Sequence, residues 1–111
     1  MRSYNRFIVD QEIECDIAGE RDVVMLYNLS SGGCMIETRS DNLSEGSAVE
    51  VRLREMATVP GRIVWRIGRN AGIKFEVPLH QKVVEHFGFS APDEDFDSND
   101  PRDRFGIPIL G

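Results

Sequence analysis

Residues 7–17 read Phe7-Ile-Val-Asp-Gln-Glu-Ile-Glu-Cys-Asp-Ile17. Phe7, Val9, Gln11, Ile13, Cys15 and Ile17 fall on odd positions, while Asp10, Glu12, Glu14 and Asp16 fall on even ones. A period of two is that of a strand with one buried and one wetted face. The stretch therefore opens a β-fold.

Downstream, Gly19 and Glu20 offer a turn, and Val23 to Leu29 is nearly continuous in apolar and β-forming residues, so a hairpin with a deeply buried second strand is expected. Asn28-Leu-Ser-Ser-Gly-Gly33 then breaks the pattern with residues that favour turns and positive φ, before a third strand at Cys34 to Thr38. After the polar loop Arg39 to Ser47, Val49, Val51 and Leu53 alternate with Glu50, Arg52 and Arg54 in a fourth strand. Ile63 to Ile67 reads as a fifth; Met56 to Val59 joins it if a bulge accommodates Pro60. Gly68-Arg69-Asn70 turns the chain into a sixth, with Ile73 and Phe75 inward. Six short strands at this spacing suggest a small barrel or sandwich.

Pro78 opens another period. Leu79, Val83 and Phe87 recur every four residues up to Gly88, which predicts a helix over about 79–88 capping an open end of the barrel. Beyond Ser90 the chain is rich in Asp, Asn, Ser and Pro, a composition that cannot offset its ordering entropy. The expected organisation is one domain over residues 1–90 and an acidic disordered tail over 91–111. Phe105 to Gly111 is apolar again, and a loose end is expected there over a short docking segment.

With 111 residues, 41% of them apolar, the chain has room for one core. Runs such as Val23 to Tyr27 fall far short of the ~20 residues a membrane helix needs, and no signal-type segment is visible. A soluble, cytoplasmic protein without membrane insertion is expected. Cys15 and Cys34 lie in apolar patterns without Cys or His at metal-ligand spacing, so buried free thiols are expected. His80 and His86, six apart, do not share a helix face, which speaks against a metal site.

The net charge of −6 argues against a general nucleic-acid binder. Its distribution matters more than its total. Residues 93–111 hold six acids and two bases, or −4 of the total, and residues 1–92 hold 13 acids and 11 bases. A small barrel binding single-stranded nucleic acid would also need stacked aromatics in a basic groove, which this sequence fits poorly. Of the 13 basic residues 11 are arginine, whose planar fork suits phosphates and guanine edges.

No nucleophile elbow, Walker-type phosphate loop or His–carboxylate pair at motif spacing occurs, so no enzyme is expected. The informative positions are Arg2 and Arg6 before the first strand, and Asn28, Ser30 and Gly33 after the second. Two guanidinium forks can take phosphates or the O6 and N7 acceptors of guanine. An amide, a hydroxyl and a glycine can grip a polar ring and let it approach the backbone closely. Each group taken alone also reads as a plain turn or a pair of solvated charges.

Together, in this order, Arg2-Ser-Tyr-Asn-Arg6 and Asn28-Leu-Ser-Ser-Gly-Gly33 resemble the signature of the PilZ domain family, Arg-x-x-x-Arg followed by Asp/Asn-x-Ser-x-x-Gly. Ile63-Val-Trp65 and Ala71-Gly-Ile-Lys-Phe75 look like later strands of that family, so the likeness spans about residues 2–88. The resemblance implies a six-stranded antiparallel β-barrel with one C-terminal helix, and a receptor for the bacterial second messenger cyclic di-GMP. It assigns Arg2 and Arg6, on an arm over residues 1–7, to guanine edges and phosphates. Asn28 and Ser30 would hydrogen-bond the ligand, and Gly33 would permit its close approach. No other cofactor is implied. The resemblance ties the residue before the arginine motif to whether one ligand or a stacked pair binds; that residue here is Met1. A protein partner would read the liganded state. A degenerate barrel acting solely as a protein-interaction module is the alternative, and the partner, the process served and the oligomeric state stay open.

Overall fold

Strand β1 (Gln11–Ile17) carries the opening alternation into space, with Ile13, Cys15 and Ile17 buried and Glu12 and Glu14 exposed. The computed structural model describes residues 11–55, 57–87, 101 and 107–109. The arm with Arg2 and Arg6, the start of the first strand at Phe7, and most of the acidic tail lie outside the described residues.

A hairpin joins β1 to β2 (Glu20–Leu29) in antiparallel register, Ile17 opposite Glu20. Its two-residue turn is Ala18-Gly19, one position earlier than the sequence suggests, with φ of 53° and 84°. Positive φ at both central residues matches the twist of a tight hairpin. β3 (Gly33–Glu37), β4 (Ala48–Leu53), β5 (Ala57–Ile67) and β6 (Asn70–Phe75) follow, and α1 (Gln81–His86) ends the described body. The strands close into an antiparallel barrel in the order β1-β2-β3-β6-β5-β4, sealed by the pairing of β1 with β4. Of the barrel and sandwich alternatives, the chain forms the barrel.

β5 runs unbroken through Pro60, which pairs with Glu50 of β4, so residues 57–59 do belong to the fifth strand. The sequence suggested a bulge at that proline. None is needed, because a residue's N–H and C=O point to the same side of a strand. The Pro60 carbonyl accepts from Glu76 N–H at 2.8 Å, just past the end of β6, so the missing N–H falls there and costs no bond to β4. Bulges occur elsewhere, between Leu26 and Asn28 in β2 and between Ile63 and Trp65 in β5.

The barrel interior is filled by apolar residues from all six strands, among them Leu26, Leu29, Ile36, Val51, Leu53, Ile63 and Ile73. One end is closed by Leu79, Val84 and Phe87 around α1, where Gln11 Nε2 donates to the Phe87 carbonyl at 2.8 Å. His80 caps the helix, its Nδ1 accepting from Lys82 N–H at 3.1 Å, which gives that histidine a structural role. At the other end Leu43 enters the core, its loop held by Arg66 Nη1, which donates to the Ser40 and Leu43 carbonyls at 2.8 and 2.7 Å.

Cys15 and Cys34 are free and fully buried. Burial, with smaller contributions from Asp16 and Asp22, pushes the Cys15 thiol up to about 12, and burial pushes Cys34 well above its usual range. The thiolate is the reactive form. Ellman's reagent at mildly alkaline pH should therefore leave both thiols unmodified in the native protein and titrate both in denaturant; rapid native modification would show an open core.

On the wetted face, Asp16 bridges strands. Arg52 of β4 donates to Asp16 Oδ2 from Nη2 at 2.9 Å and from Nε at 3.1 Å, and Arg21 Nε reaches Oδ1 at 3.3 Å. The Arg52 hydrogen bond, with help from Arg21, holds the Asp16 carboxyl below its ordinary value of 3.8 despite partial desolvation. A depressed carboxylate contributes stability that is complete above the ordinary value and disappears as pH falls through the lowered one. In urea melts, Asp16→Asn should be less stable than the parent at pH 7, and the gap should close below about pH 3.8. A gap independent of pH would remove the ion bridge from the account.

Candidate functional site

The Asn28–Gly33 segment joins β2 to β3 at the end of the barrel that α1 closes. Ser30 N–H donates to the Gly33 carbonyl at 2.9 Å, and the Ser30 hydroxyl accepts from Gly32 N–H at 3.2 Å. The Ser30 hydroxyl also lies 3.4 Å from the Gly33 carbonyl. Two outside anchors fix the turn: Phe75 N–H donates to the Gly32 carbonyl at 2.9 Å, and Leu79 N–H to the Ser31 carbonyl at 2.8 Å. The expected positive φ is not used here; among the described residues it occurs at Ala18, Gly19, Gly46, Arg54 and Gly68. Hydrogen bonding to Ser30 shapes the turn instead.

Asn28, Ser30 and Gly33 are thus brought together, and all three are buried. The sequence reading treated the serine as a ligand group; the structure makes it first the organiser of the loop. Asn28 Nδ2 meets Met35 Sδ at 3.9 Å. A thioether is a weak acceptor, which a ligand oxygen would readily replace. Arg2 and Arg6 lie outside the described residues.

What the sequence reading missed is the surface beside this turn. The bulge in β2 turns Tyr27 and Asn28 outward together before Leu29 returns to the core, and the bulge in β5 does the same for Val64 and Trp65. Asn28 lies opposite Met35, Met35 opposite Gly72, and Gly72 opposite Trp65, so one row crosses four strands on the outside of the barrel. Tyr27, Met35 and Trp65 form a second apolar cluster, only 4%, 1% and 7% exposed although they face away from the core. Val64, Ile67 and, from the C-terminus, Ile109 pack against it. Of the loose end and the docking segment weighed for the last residues, Ile109 takes the second form.

The next row toward the turn places Lys74 opposite both Gly33 and Arg62. Lys74 is exposed, and Arg62 pairs with Glu76 at 3.4 Å. Two cations therefore flank the glycine side of the turn. The signal for these neighbours was strand register, which the sequence did not fix around its bulges.

The Trp65 indole lies against Gly72. A Cβ at position 72 would come within 2.7 Å of Trp65 Cδ1 and closer still to Nε1. The indole Nε1 is buried without a hydrogen-bond partner among the described residues.

The chain is thus a closed six-stranded antiparallel barrel with a buried Asn-x-Ser-x-x-Gly turn at the edge of an outer face. The family model for the PilZ domain matches residues 1–88, and the chain belongs to that family. Cyclic di-GMP binding is the property associated with the family. A comparison with proteins of curated function found no significant match. Among the described residues no helix is long and apolar enough to cross a membrane.

Gly72→Ala tests the packing that shapes this face. The methyl must displace the indole, an overpacking effect of about 1–3 kcal/mol. Denaturant unfolding should show that loss together with altered Trp65 fluorescence; an unchanged midpoint and spectrum would mean the indole does not rest on Gly72.

Proposed function

We propose that the chain is a non-catalytic receptor for cyclic di-GMP, which binds between the N-terminal arm and the outer face beside the Asn28–Gly33 turn. The observation that carries this reading is the family match, which spans both the Arg2/Arg6 arm and a turn whose Asn28, Ser30 and Gly33 are gathered at one rim of the barrel.

Chemically, the turn contributes preorganisation. Ser30 fixes its shape, and Asn28 presents an amide whose Nδ2 contact to Met35 Sδ is weak. Arg2 and Arg6 contribute forked donors, each able to take a guanine Hoogsteen edge or a phosphate; a bidentate arginine–guanine pair discriminates by about 1–3 kcal/mol. Lys74 adds a positive charge opposite Gly33. The chain's net charge of −6 does not oppose a small dianion, because screening over about 8–10 Å makes nearby cations dominate. Closure of the arm over the ligand is the conformational change that a protein partner reads.

Titration calorimetry with cyclic di-GMP tests the reading. Binding is expected for the intact protein and lost in Arg6→Ala. Asn28→Ala should weaken it about tenfold, the equivalent of one hydrogen bond of about 1.4 kcal/mol. No heat with intact protein at high micromolar ligand overturns the receptor reading and leaves the interaction-module alternative.

A further inference from the structure

Gln11 sits where β1 is held least. The β1–β2 ladder runs from Gln11 to Ile17, but β4 joins β1 only from Glu14 onward, so residues 11–13 are strand-paired on one side alone. Side chains close the open side. Arg54, in the turn between β4 and β5, donates from Nη2 to Gln11 Oε1 at 2.9 Å, and Gln11 Nε2 donates to the Phe87 carbonyl at 2.8 Å. That carbonyl stands at the C-cap of α1, where the helix itself offers no donor. The Arg54 guanidinium also lies over the Phe87 ring, 5.7 Å from its centroid, which completes a triangle of contacts. Arg54 holds this place at a φ of 56°, a left-handed backbone that favours glycine. What arginine adds there is the side chain that reaches Gln11 and Phe87.

We propose that Gln11 and Arg54 are positioning residues for ligand binding: with Phe87 they clasp the root of the arm that carries Arg2 and Arg6, and they act without touching the ligand. The role rests on the receptor reading above; the clasp does not. Chain length carries the link. Arg6 precedes Gln11 by five residues, a span of at most ~18 Å, so every place its Cα can reach is centred on Gln11. Gln11 in turn stands opposite Leu26, two residues before Asn28, so the clasped root adjoins the strand that leads into the candidate turn. A root held in one place concentrates the arginines near that turn, as a short tether concentrates any linked group. A frayed root lengthens the tether and dilutes them. The clasp thus raises affinity by preorganisation alone.

Amide hydrogen exchange and calorimetry on the full chain separate the clasp from its role. Arg54→Gly removes the side chain and suits the left-handed backbone, so its urea midpoint should stay near the parent's. Exchange at Gln11 and Ile13 should nonetheless quicken, with Cys15 and Val51 unchanged. Cyclic di-GMP should bind this variant roughly three- to tenfold more weakly, the scale of one net hydrogen bond. Gln11→Leu, which alters no charge, should lose as much, and the double variant should lose no more than either alone. Arg54→Lys, which keeps a donor, should recover most of the affinity. Unchanged exchange at Gln11 and Ile13 overturns the clasp. Faster exchange with parental affinity, or losses that add in the double variant, overturns the positioning role. Absence of binding in the parent overturns the receptor reading, while exchange still decides whether the clasp exists.

Discussion

A closed barrel gives each strand residue one of two destinations, and the pairing of β1 with β4 imposes that choice around the whole ring. Were β1 free on that side, its acidic face and the arginines of β4 would not meet, and Asp16 would lose Arg52. Closure also fixes the interior volume, so the alternation in each strand must deliver its apolar residues inward without a slip of register. The chain meets this demand in all but two places. At the bulges in β2 and β5 the alternation skips, two consecutive residues face outward, and an apolar row forms on the outside. The candidate site is a by-product of those two departures.

This explains which parts of the molecule were legible in the sequence. Glu12, Glu14 and Asp16 against Ile13, Cys15 and Ile17 leave one arrangement open to a strand, and β4 is equally regular. The helix was legible from its period of four, although it is shorter than that period implied because His80 serves as its cap. Pro60 misled, since a proline signals interruption unless the neighbouring strand has already ended, a fact of the tertiary pairing. The bulges were illegible for a related reason. Leu26-Tyr-Asn-Leu29 and Ile63-Val-Trp65 read as continuous buried runs, and nothing local marks the residue that is to be squeezed outward.

The candidate site shows the same division. Asn28, Ser30 and Gly33 were visible because turn-forming residues stand out between apolar runs. Their division of labour was not, because the bonds from Gly32 N–H to Ser30, from Phe75 N–H to Gly32 and from Leu79 N–H to Ser31 depend on β6 and on the approach to α1. Trp65 and Lys74 reach this neighbourhood through pairing alone, each more than thirty positions along the chain from Asn28.

Charge follows geometry in this account. A net −6 counted over the chain sets anionic ligands at a disadvantage, yet −4 of it lies in residues 93–111, beyond the span of 1–88 that the family model matches. Beside the Asn28–Gly33 turn the local sign is set instead by Lys74, exposed opposite Gly33. A small dianion therefore meets the sign of the nearest side chains and not that of the whole chain, because screening over about 8–10 Å removes the rest.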